Sequence, residues 1–244
     1  MIYRVMFVMF LGLMLRDLPK PSSVKYGIII AVREEAAAIL ANSAYQWQKD
    51  QGDLYRSDVK NIILAVCGIG KAHTAFALGQ MFGEVSEVIM FGTSGGLGQE
   101  KIGTLYLCTE FVEHDMDVTG LGVPAGITPF SGMTSPIISF SNPETTSRIE
   151  KICLAEDLPL NTGRTISGDY FIHDQITAQA KASQFGAQLA DMESAAAAKI
   201  CMLRKKPFCA VRYISDNADH NAAVSWPEDV KISAGYFDRI LGKL

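Results

Sequence analysis

The stretch VKYGIIIAV, residues 24–32, is an almost continuous run of apolar side chains that is rich in β-branched residues. Such a run is typical of a strand that is buried on both faces of a sheet. The residues from Glu34 to Leu40 that follow are helix formers. The two segments together predict a strand that leads directly into a helix, which is the repeating unit of an α/β protein.

Strand-like and helix-like segments alternate along the rest of the chain. A helix over residues 142–157 would have Asn142 as its N-cap and Pro143 at its first helical position. The alternation predicts one three-layer α/β/α domain over residues 25–244, with a mainly parallel, twisted central sheet. Further strands are predicted over 61–66, 87–92, 104–111, 188–192 and 208–215, and further helices over 71–82, 193–203 and 231–241.

The composition is that of an ordinary globular protein, with 48% hydrophobic and 20% charged residues in a chain of 244. Twenty-six acidic against 22 basic residues give a net charge of −4, which disfavours nucleic-acid binding. The five scattered cysteines are typical of reduced, buried thiols in a cytoplasmic protein. The four histidines share no ligand spacing, so no metal is expected.

An apolar run of eleven residues, 5–15, lies near the amino terminus. It is too short for a membrane span, which needs about 20 residues, so no membrane association is expected. No small-x-small cleavage site follows it, and Pro19 and Pro21 come next. Residues 1–24 are therefore interpreted as an N-terminal extension. A leader added by an upstream start codon, or an extra apolar helix, is favoured over an inefficient signal peptide.

Two glycine-rich motifs resemble nucleotide-binding loops but are incomplete. Gly70-Lys71 is followed by Ala72, and Gly96-Leu97-Gly98 lacks a third glycine, so no nucleotide cofactor is expected. The glycines, including Gly92 to Gly96, are instead predicted to form turns where strands end. Polar residues follow several of these strands, and ligands bind at this edge of α/β sheets. Three carboxylates at one edge favour a small-molecule enzyme that uses acid–base chemistry; they are Glu35, Glu193 and Asp216.

Six motifs carry a family resemblance: GIIIAVREE (27–35), GIGK (68–71), GTSGG (92–96), SGDYFI (167–172), DME (191–193) and VRYISD (211–216). With these motifs, the chain from Lys25 to its end resembles the 5′-methylthioadenosine/S-adenosylhomocysteine nucleosidases of the purine nucleoside phosphorylase superfamily. The resemblance implies the superfamily fold, a homodimer, no cofactor, and hydrolysis of the bond between ribose C1′ and purine N9.

The resemblance also implies a role for each catalytic group. Asp216 would protonate N7 of the leaving purine, and its burial would help it to keep that proton near neutral pH. Glu193 would bind the ribose hydroxyls, and its charge would favour the cation that forms on the sugar. Glu35 would take a proton from the attacking water, which Thr93 and Arg212 would help to hold.

For substrate binding, the resemblance implies that Phe171 stacks on the purine, that the backbone of Ile172 reads its edge, and that Met192 packs under the sugar. Leu121 would reach the pocket of the neighbouring subunit and contact the 5′ substituent. The loop over residues 119–130 is shorter than is familiar in the family. Methylthio, homocysteinyl, deoxyfutalosine-type and hydroxyl substituents therefore stay open, as does a 6-amino or 6-oxo purine. The other matched pocket residues are Val32, Ser94, Gly95, Ser215 and Trp226.

Two other functions are weighed against hydrolysis. A phosphorylase needs an anion site, for which the segment after the first strand offers Arg33. The flanking Glu34 and Glu35 would repel phosphate, so hydrolysis is favoured, and Glu34 is expected to be solvated. A non-catalytic purine-binding protein would not need all three acids that this chain retains.

Overall fold

The computed structural model describes residues 24–218 and 222–244, without the side chains of 222–227. The predicted N-terminal extension lies outside the described residues except for Val24. The strands are β1 (Tyr26–Ile30), β2 (Gln48–Lys49), β3 (Leu54–Ser57), β4 (Ile62–Val66), β5 (Glu87–Gly96), β6 (Leu105–Glu113), β7 (Leu160–Ser167), β8 (Leu189–Asp191) and β9 (Phe208–Asp216). The α-helices are α1 (Arg33–Ala41), α2 (Lys71–Met81), α3 (Pro143–Ala155), α4 (Gln175–Phe185), α5 (Ser194–Leu203) and α6 (Ala222–Leu241).

The described strands form one sheet in the order β2-β3-β4-β1-β5-β8-β7-β6-β9, and β9 also pairs with β5. The prediction of a mainly parallel sheet is not met, because the sheet is mixed. The strand β1 is parallel to β4 and β5, but β3 and β4, β5 and β8, and β6 and β9 are antiparallel pairs. A parallel neighbour needs a crossover of a dozen or more residues, and the four residues between β3 and β4 permit only a hairpin.

Helices cover both faces of the sheet, as the alternating pattern predicts. Alternate residues of β1 face opposite layers: Ile28 and Ile30 pack with residues of α1, α3 and α6, whereas Ile29 packs with residues of α2 and α5. A third, smaller core contains Ala178 and Phe185 of α4. All five β1 residues are buried, which explains the unbroken apolar run in the sequence.

Most predicted elements agree with the structure to within a few residues, and Asn142 caps α3 by accepting from Glu144 N. The predicted turn over Gly92–Gly96 is wrong, because β5 continues through these residues to Gly96. The sequence interpretation also missed β2, β3, β7 and α4. Within the ranges that the structure describes, no helix has the length and apolar character that a membrane span requires.

Candidate active site

The ends of three parallel strands and of β8 meet around one cavity of about 350 Å³. The strands β1, β5 and β9 lie side by side, so their carboxyl ends share one edge of the sheet. The register between β5 and β9 shifts after Ser94, which places Gly95 opposite Asp216. Such an irregularity often re-aims a side chain beside a functional site.

Ten of the fourteen residues predicted for the site line this cavity. Its full lining is Ala31, Val32, Glu35, Ile69, Thr93, Ser94, Gly95, Phe171, Ala190, Asp191, Met192, Glu193, Ser215 and Asp216.

Glu35 is buried in the first turn of α1 and is held by three donors. Its Oε1 accepts hydrogen bonds from the backbone N of Thr93 at 2.7 Å and from its Oγ1 at 2.9 Å. Its Oε2 accepts from Val32 N at 3.4 Å, which closes a capping box. Burial raises the pKa of Glu35 above its ordinary value, and the Thr93 hydrogen bonds and the Arg212 charge oppose that rise. A raised pKa makes this carboxylate a better proton acceptor near neutral pH.

Glu193 lies at the first position before α5 and faces both the cavity and a buried cation. Its Oε1 accepts from Gly70 N at 2.9 Å, and its Oε2 lies 3.8 Å from Arg212 Nη2. Burial raises the pKa of Glu193, the charge of Asp191 adds to the rise, and Arg212 opposes it. The structure places Glu193, one of the predicted site residues, in the lining of this cavity.

Arg212 lies behind the cavity rather than in its lining. Its Nη2 lies 2.7 Å from Asp191 Oδ2, and the two side chains are 1% and 2% exposed. Its Nη1 donates to Thr93 O at 3.5 Å. Gly92 gives this side chain room, because a Cβ there would collide with Arg212 Nη1. The site therefore gathers three buried carboxyl groups around one guanidinium, those of Glu35, Asp191 and Glu193.

Asp216 is buried at the end of β9 and lines the same cavity. Its Oδ1 accepts from Ala218 N at 2.8 Å, and its Oδ2 is 2.9 Å from Ser215 Oγ, which donates to it. A Cβ on Gly95 would lie 2.9 Å from Asp216 Oδ1, so the close approach of β5 depends on glycine.

The remaining wall of the cavity is apolar. Met192 and Ile69 line it, and Phe171 is 49% exposed at its mouth, with its ring stacked on His173. Ile172 is buried beside Asp216 in a small adjoining cavity rather than in the main one. Leu121 is 76% exposed and does not line the cavity of its own chain. The predicted role of Trp226 falls on a side chain outside the described residues.

The sequence interpretation missed Ile69 and the backbone N of Gly70. Both belong to the loop after β4, in which Gly68 and Gly70 have φ angles of 89° and 96°. The turn that the sequence predicts at these glycines is present, but the glycines alone do not show that the Ile69 side chain and the Gly70 backbone N face the cavity. The described residues contain no group of three or more His, Cys, Asp or Glu side chains arranged to hold a metal ion.

Comparisons with known proteins agree on one family. The model of the phosphorylase superfamily matches residues 25–235. An aminodeoxyfutalosine nucleosidase of Helicobacter pylori is 32% identical over 219 residues, which cover 86% of this chain and 93% of that protein. A 5′-methylthioadenosine/S-adenosylhomocysteine nucleosidase of Actinobacillus succinogenes has the same identity and coverage.

Solved structures match the whole described fold. A Helicobacter pylori nucleosidase mutant with 5′-methylthioadenosine in its active site superposes with a TM-score of 0.81 at 29% identity, covering 91% of this chain and 100% of that chain. The Neisseria meningitidis enzyme in complex with methylthio-immucillin-A also has a TM-score of 0.81, at 26% identity, covering 89% of this chain and 96% of that chain. The chain belongs to the 5′-methylthioadenosine/S-adenosylhomocysteine nucleosidase family of the phosphorylase superfamily, and it is a nucleosidase, a hydrolase of N-glycosidic bonds.

Proposed function

We propose that this nucleosidase hydrolyses 5′-methylthioadenosine and S-adenosylhomocysteine, releasing adenine and the 5′-substituted ribose. One observation carries the proposal: buried Glu35 and Glu193 line the same cavity as Asp216. A purine nucleosidase needs an acid for the base, a negative charge beside the sugar and a base for water. The names of the relatives supply the substrates.

In the proposed reaction, Asp216 donates a proton to N7 of the purine as the bond from C1′ to N9 breaks. The protonated purine leaves as a neutral base instead of an anion, so the barrier falls. Ser215 Oγ and Ala218 N fix the two carboxyl oxygens of Asp216, which orients the group toward the base. General acid catalysis of this kind typically contributes about 10²–10⁴-fold.

The ribose becomes cationic as the purine departs. Glu193 accepts hydrogen bonds from the ribose hydroxyls. Around Arg212, three carboxyl groups face one guanidinium, so carboxyl groups are in excess on this side of the cavity. A fixed negative potential stabilises the developing cation. Met192 packs under the sugar and excludes water from that face.

Glu35 takes the proton from the water that attacks C1′. Thr93 holds Glu35 through its backbone N and its hydroxyl. Gly92, the preceding residue of β5, leaves room for both Glu35 and Arg212 to approach the strand. This arrangement fixes the direction of the carboxylate before the substrate binds, which is the preorganisation that catalysis requires.

The purine lies between the apolar wall and the end of β9. Phe171 stacks on the base and the backbone of Ile172 reads its edge. The other contacts in this proposal come from Val32, Ser94, Gly95, Ser215 and Trp226.

A phosphorylase must bind phosphate in the cavity, and neither Arg33 nor Arg212 is placed to do so. Arg33 does not line the cavity; its Nη2 lies 2.6 Å from Asp53 Oδ1 and donates to Tyr55 Oη at 2.8 Å. Arg212 is close to the cavity, but three carboxyl groups surround it. Inorganic phosphate, a monoanion or dianion near neutral pH, would therefore meet net repulsion at this site.

Aminodeoxyfutalosine is the second candidate substrate, because two relatives at 31% and 32% identity carry its name. The described lining residues include no lysine or arginine that would bind a carboxylate on a long 5′ tail. Ile69, Phe171 and Val32 suit an apolar substituent instead. We therefore expect 5′-methylthioadenosine to be preferred over both substrates with charged tails.

We also propose that the enzyme is a homodimer in the cytoplasm. Exposed apolar side chains near the cavity mouth and on the loop over residues 119–130 would be covered by a second copy, and they include Ile69, Leu121 and Phe130. In the dimer, Leu121 would contact the 5′ substituent in the partner's pocket. The cytoplasmic location rests on the five free cysteines, four of which are buried.

The substrate proposal is tested by measuring adenine release from 5′-methylthioadenosine, S-adenosylhomocysteine, aminodeoxyfutalosine and adenosine under identical conditions. We expect the highest kcat/KM with 5′-methylthioadenosine. A preference for aminodeoxyfutalosine would replace the proposed substrate while leaving the chemistry intact. No release from any of the four would overturn the proposal and favour a non-catalytic purine-binding protein.

A further inference from the structure

Helix α5 begins without a cap from its own N-cap residue. That residue is Glu193, and its side chain makes no capping hydrogen bond. The first N–H groups of a helix need acceptors, and a carboxylate at the N-cap usually provides one. Here Asp191 provides it instead, because its Oδ1 accepts from Glu193 N and Ser194 N, each at 3.0 Å.

The substitute cap leaves Glu193 free for the cavity. Its carboxylate turns away from the helix and accepts from Gly70 N, in the loop after β4. The next N–H of the helix, that of Ala195, donates to Ser167 Oγ at 2.8 Å, and Ser167 Oγ itself donates to Asp191 Oδ1 at 2.5 Å. Side chains of β7 and β8 therefore accept from the N–H groups of Glu193, Ser194 and Ala195, with no contribution from the Glu193 side chain.

The second oxygen of Asp191 holds Arg212. The distance from Asp191 Oδ2 to Arg212 Nη2 is 2.7 Å, against 3.8 Å from Glu193 Oε2 to the same nitrogen. Ser194 Oγ accepts from Arg212 Nε at 3.0 Å and from Nη2 at 2.7 Å, which fixes the guanidinium from the side of α5. Two hydrogen bonds to Ser194 and a close ion pair with Asp191 thus hold Arg212, and its ion pair with Glu193 is the longer one.

We propose that Asp191 is a positioning residue of this nucleosidase. One oxygen caps α5 so that the Glu193 carboxylate faces the ribose, and the other keeps Arg212 from pairing fully with Glu193. Without the Asp191 charge, Arg212 would move toward Glu193 and compete with the ribose hydroxyls for its oxygens. The inference rests on the proposed function, because it assigns a role in the turnover of a nucleoside by this site.

The charges around Glu193 determine how the loss of Asp191 affects its titration. Asp191 and Glu35 raise the pKa of Glu193, and Arg212 lowers it. The thiol of Cys67 is also near this group: burial raises its pKa, and the charge of Glu193 adds to the rise. Removing the Asp191 charge takes away one raising group and frees Arg212, so both effects lower the pKa of Glu193.

Two variants separate the charge from the cap. Asp191→Asn keeps an oxygen that can cap α5 but removes the charge that holds Arg212. Ser167→Ala removes the hydrogen bond to Asp191 Oδ1 and the acceptor of Ala195 N, but leaves every charge in place. Steady-state release of adenine from 5′-methylthioadenosine is measured for both variants and the wild type across the pH range, together with the melting temperature.

We expect Asp191→Asn to lose about 10²-fold in kcat, as a displaced catalytic group typically does. The acid limb of its pH–rate profile should move to lower pH. Ser167→Ala should lose less in kcat, about tenfold, with an unchanged acid limb, because 1.4 kcal/mol is tenfold and a hydrogen bond contributes about that much.

A folded Asp191→Asn variant with the wild-type kcat, or with reduced kcat but an unmoved acid limb, would overturn the inference and leave Asp191 a purely structural residue. If Asp191→Asn does not fold, Ser167→Ala decides alone, and a wild-type kcat in that variant would overturn the inference. Absence of adenine release by the wild type would overturn the proposed function instead, so the two failures are distinguishable.

Discussion

At the scale of single residues, burial separates groups of the same chemistry into different roles. Glu34 and Glu35 are neighbours in the first turn of α1, but Glu34 is exposed to solvent and Glu35 is buried beside Thr93. Loss of solvent raises the pKa of the buried Glu35 carboxyl, and its hydrogen bond from Thr93 N fixes its direction. The adjacent pair therefore offers a catalytic variant and a matched control in one turn of helix.

Glu35→Gln should lose about 10²–10⁴-fold in adenine release, because the amide cannot take a proton from the attacking water. Glu34→Gln should turn over close to the wild-type rate, since its side chain is solvated. Initial rates with 5′-methylthioadenosine check both. Equal rates in Glu35→Gln and Glu34→Gln would remove Glu35 from the mechanism.

Glu193→Gln should remove activity and yet stabilise the fold at alkaline pH. The pKa of Glu193 is raised from 4.5 to about 7, chiefly by burial. A raised carboxyl pKa stabilises the folded state below pH 4.5, and this stability is lost as the pH rises through about 7. The amide titrates at neither pH. At pH 8 the variant should therefore melt a few degrees above the wild type, which corresponds to an increase in the free energy of unfolding on the order of 1–3 kcal/mol.

The same variant should melt at the same temperature as the wild type near pH 4.5, where the native carboxyl is already protonated. Thermal melts at both pH values make the comparison. A wild type that is the more stable protein at pH 8 would show that the Arg212 contact outweighs the burial of the charge.

At the scale of elements, the site depends on how far β5 extends. The glycine-rich residues 92–96 suggest a turn, but pairing with β9 on one side and β8 on the other keeps them in the strand. The glycines are needed for close approach: Gly92 accommodates Arg212, and Gly95 accommodates Asp216. Single-sequence reasoning reads glycine as a breaker of strands, and tertiary packing overrides that tendency here.

Gly95→Ala should lower kcat far more than it lowers stability. The new Cβ would lie 2.9 Å from Asp216 Oδ1 and 3.3 Å from Ala218 Cβ, so the carboxyl that we propose as the proton donor to the purine must shift. Gly98→Ala is the control, because its Cβ would make an ordinary contact at 3.5 Å from Glu100 Oε2. Wild-type kcat in Gly95→Ala would show that the position of Asp216 tolerates the displacement.

Much of the fold and site follows from the sequence, because buried strands with polar ends are visible as apolar runs that stop at carboxylates. The strand β7 was missed since its first half is polar and partly exposed, and α4 was missed since its sequence QITAQAKASQF has no clear apolar face. Sequence runs also carry no strand direction, so the antiparallel pairing of β5 with β8 and of β6 with β9 could not be predicted. The cap from Asp191 depends on contacts among three elements and is visible only in the fold.

At the scale of the whole molecule, the sheet brings residues from distant parts of the chain to one edge. The strands β5, β8, β7, β6 and β9 pair in a closed cycle, while β1 continues the sheet beyond β5. The cavity therefore receives groups from α1, from β5, from the start of α5 and from the end of β9. Its mouth leaves apolar side chains in solvent, which is the reason for proposing a second copy of the chain.

Light scattering at micromolar concentration should give a mass about twice the 26.5 kDa of one chain. Leu121→Asp should raise KM for 5′-methylthioadenosine, because an acidic side chain would replace the apolar contact that we propose with the methylthio group in the partner's pocket. Leu154→Asp is the control, since Leu154 is also exposed but lies on α3. A monomer with full activity would contradict the proposed partner contribution.

The most direct test of the central account is the product formed from 5′-methylthioadenosine as phosphate is added. In the proposed mechanism Glu35 activates water, and acidic groups surround Arg212. We therefore expect a rate that phosphate does not increase and an unphosphorylated methylthioribose product. Adenine release that requires phosphate and yields the ribose 1-phosphate would contradict the account, because the acidic group would then be serving an anion site.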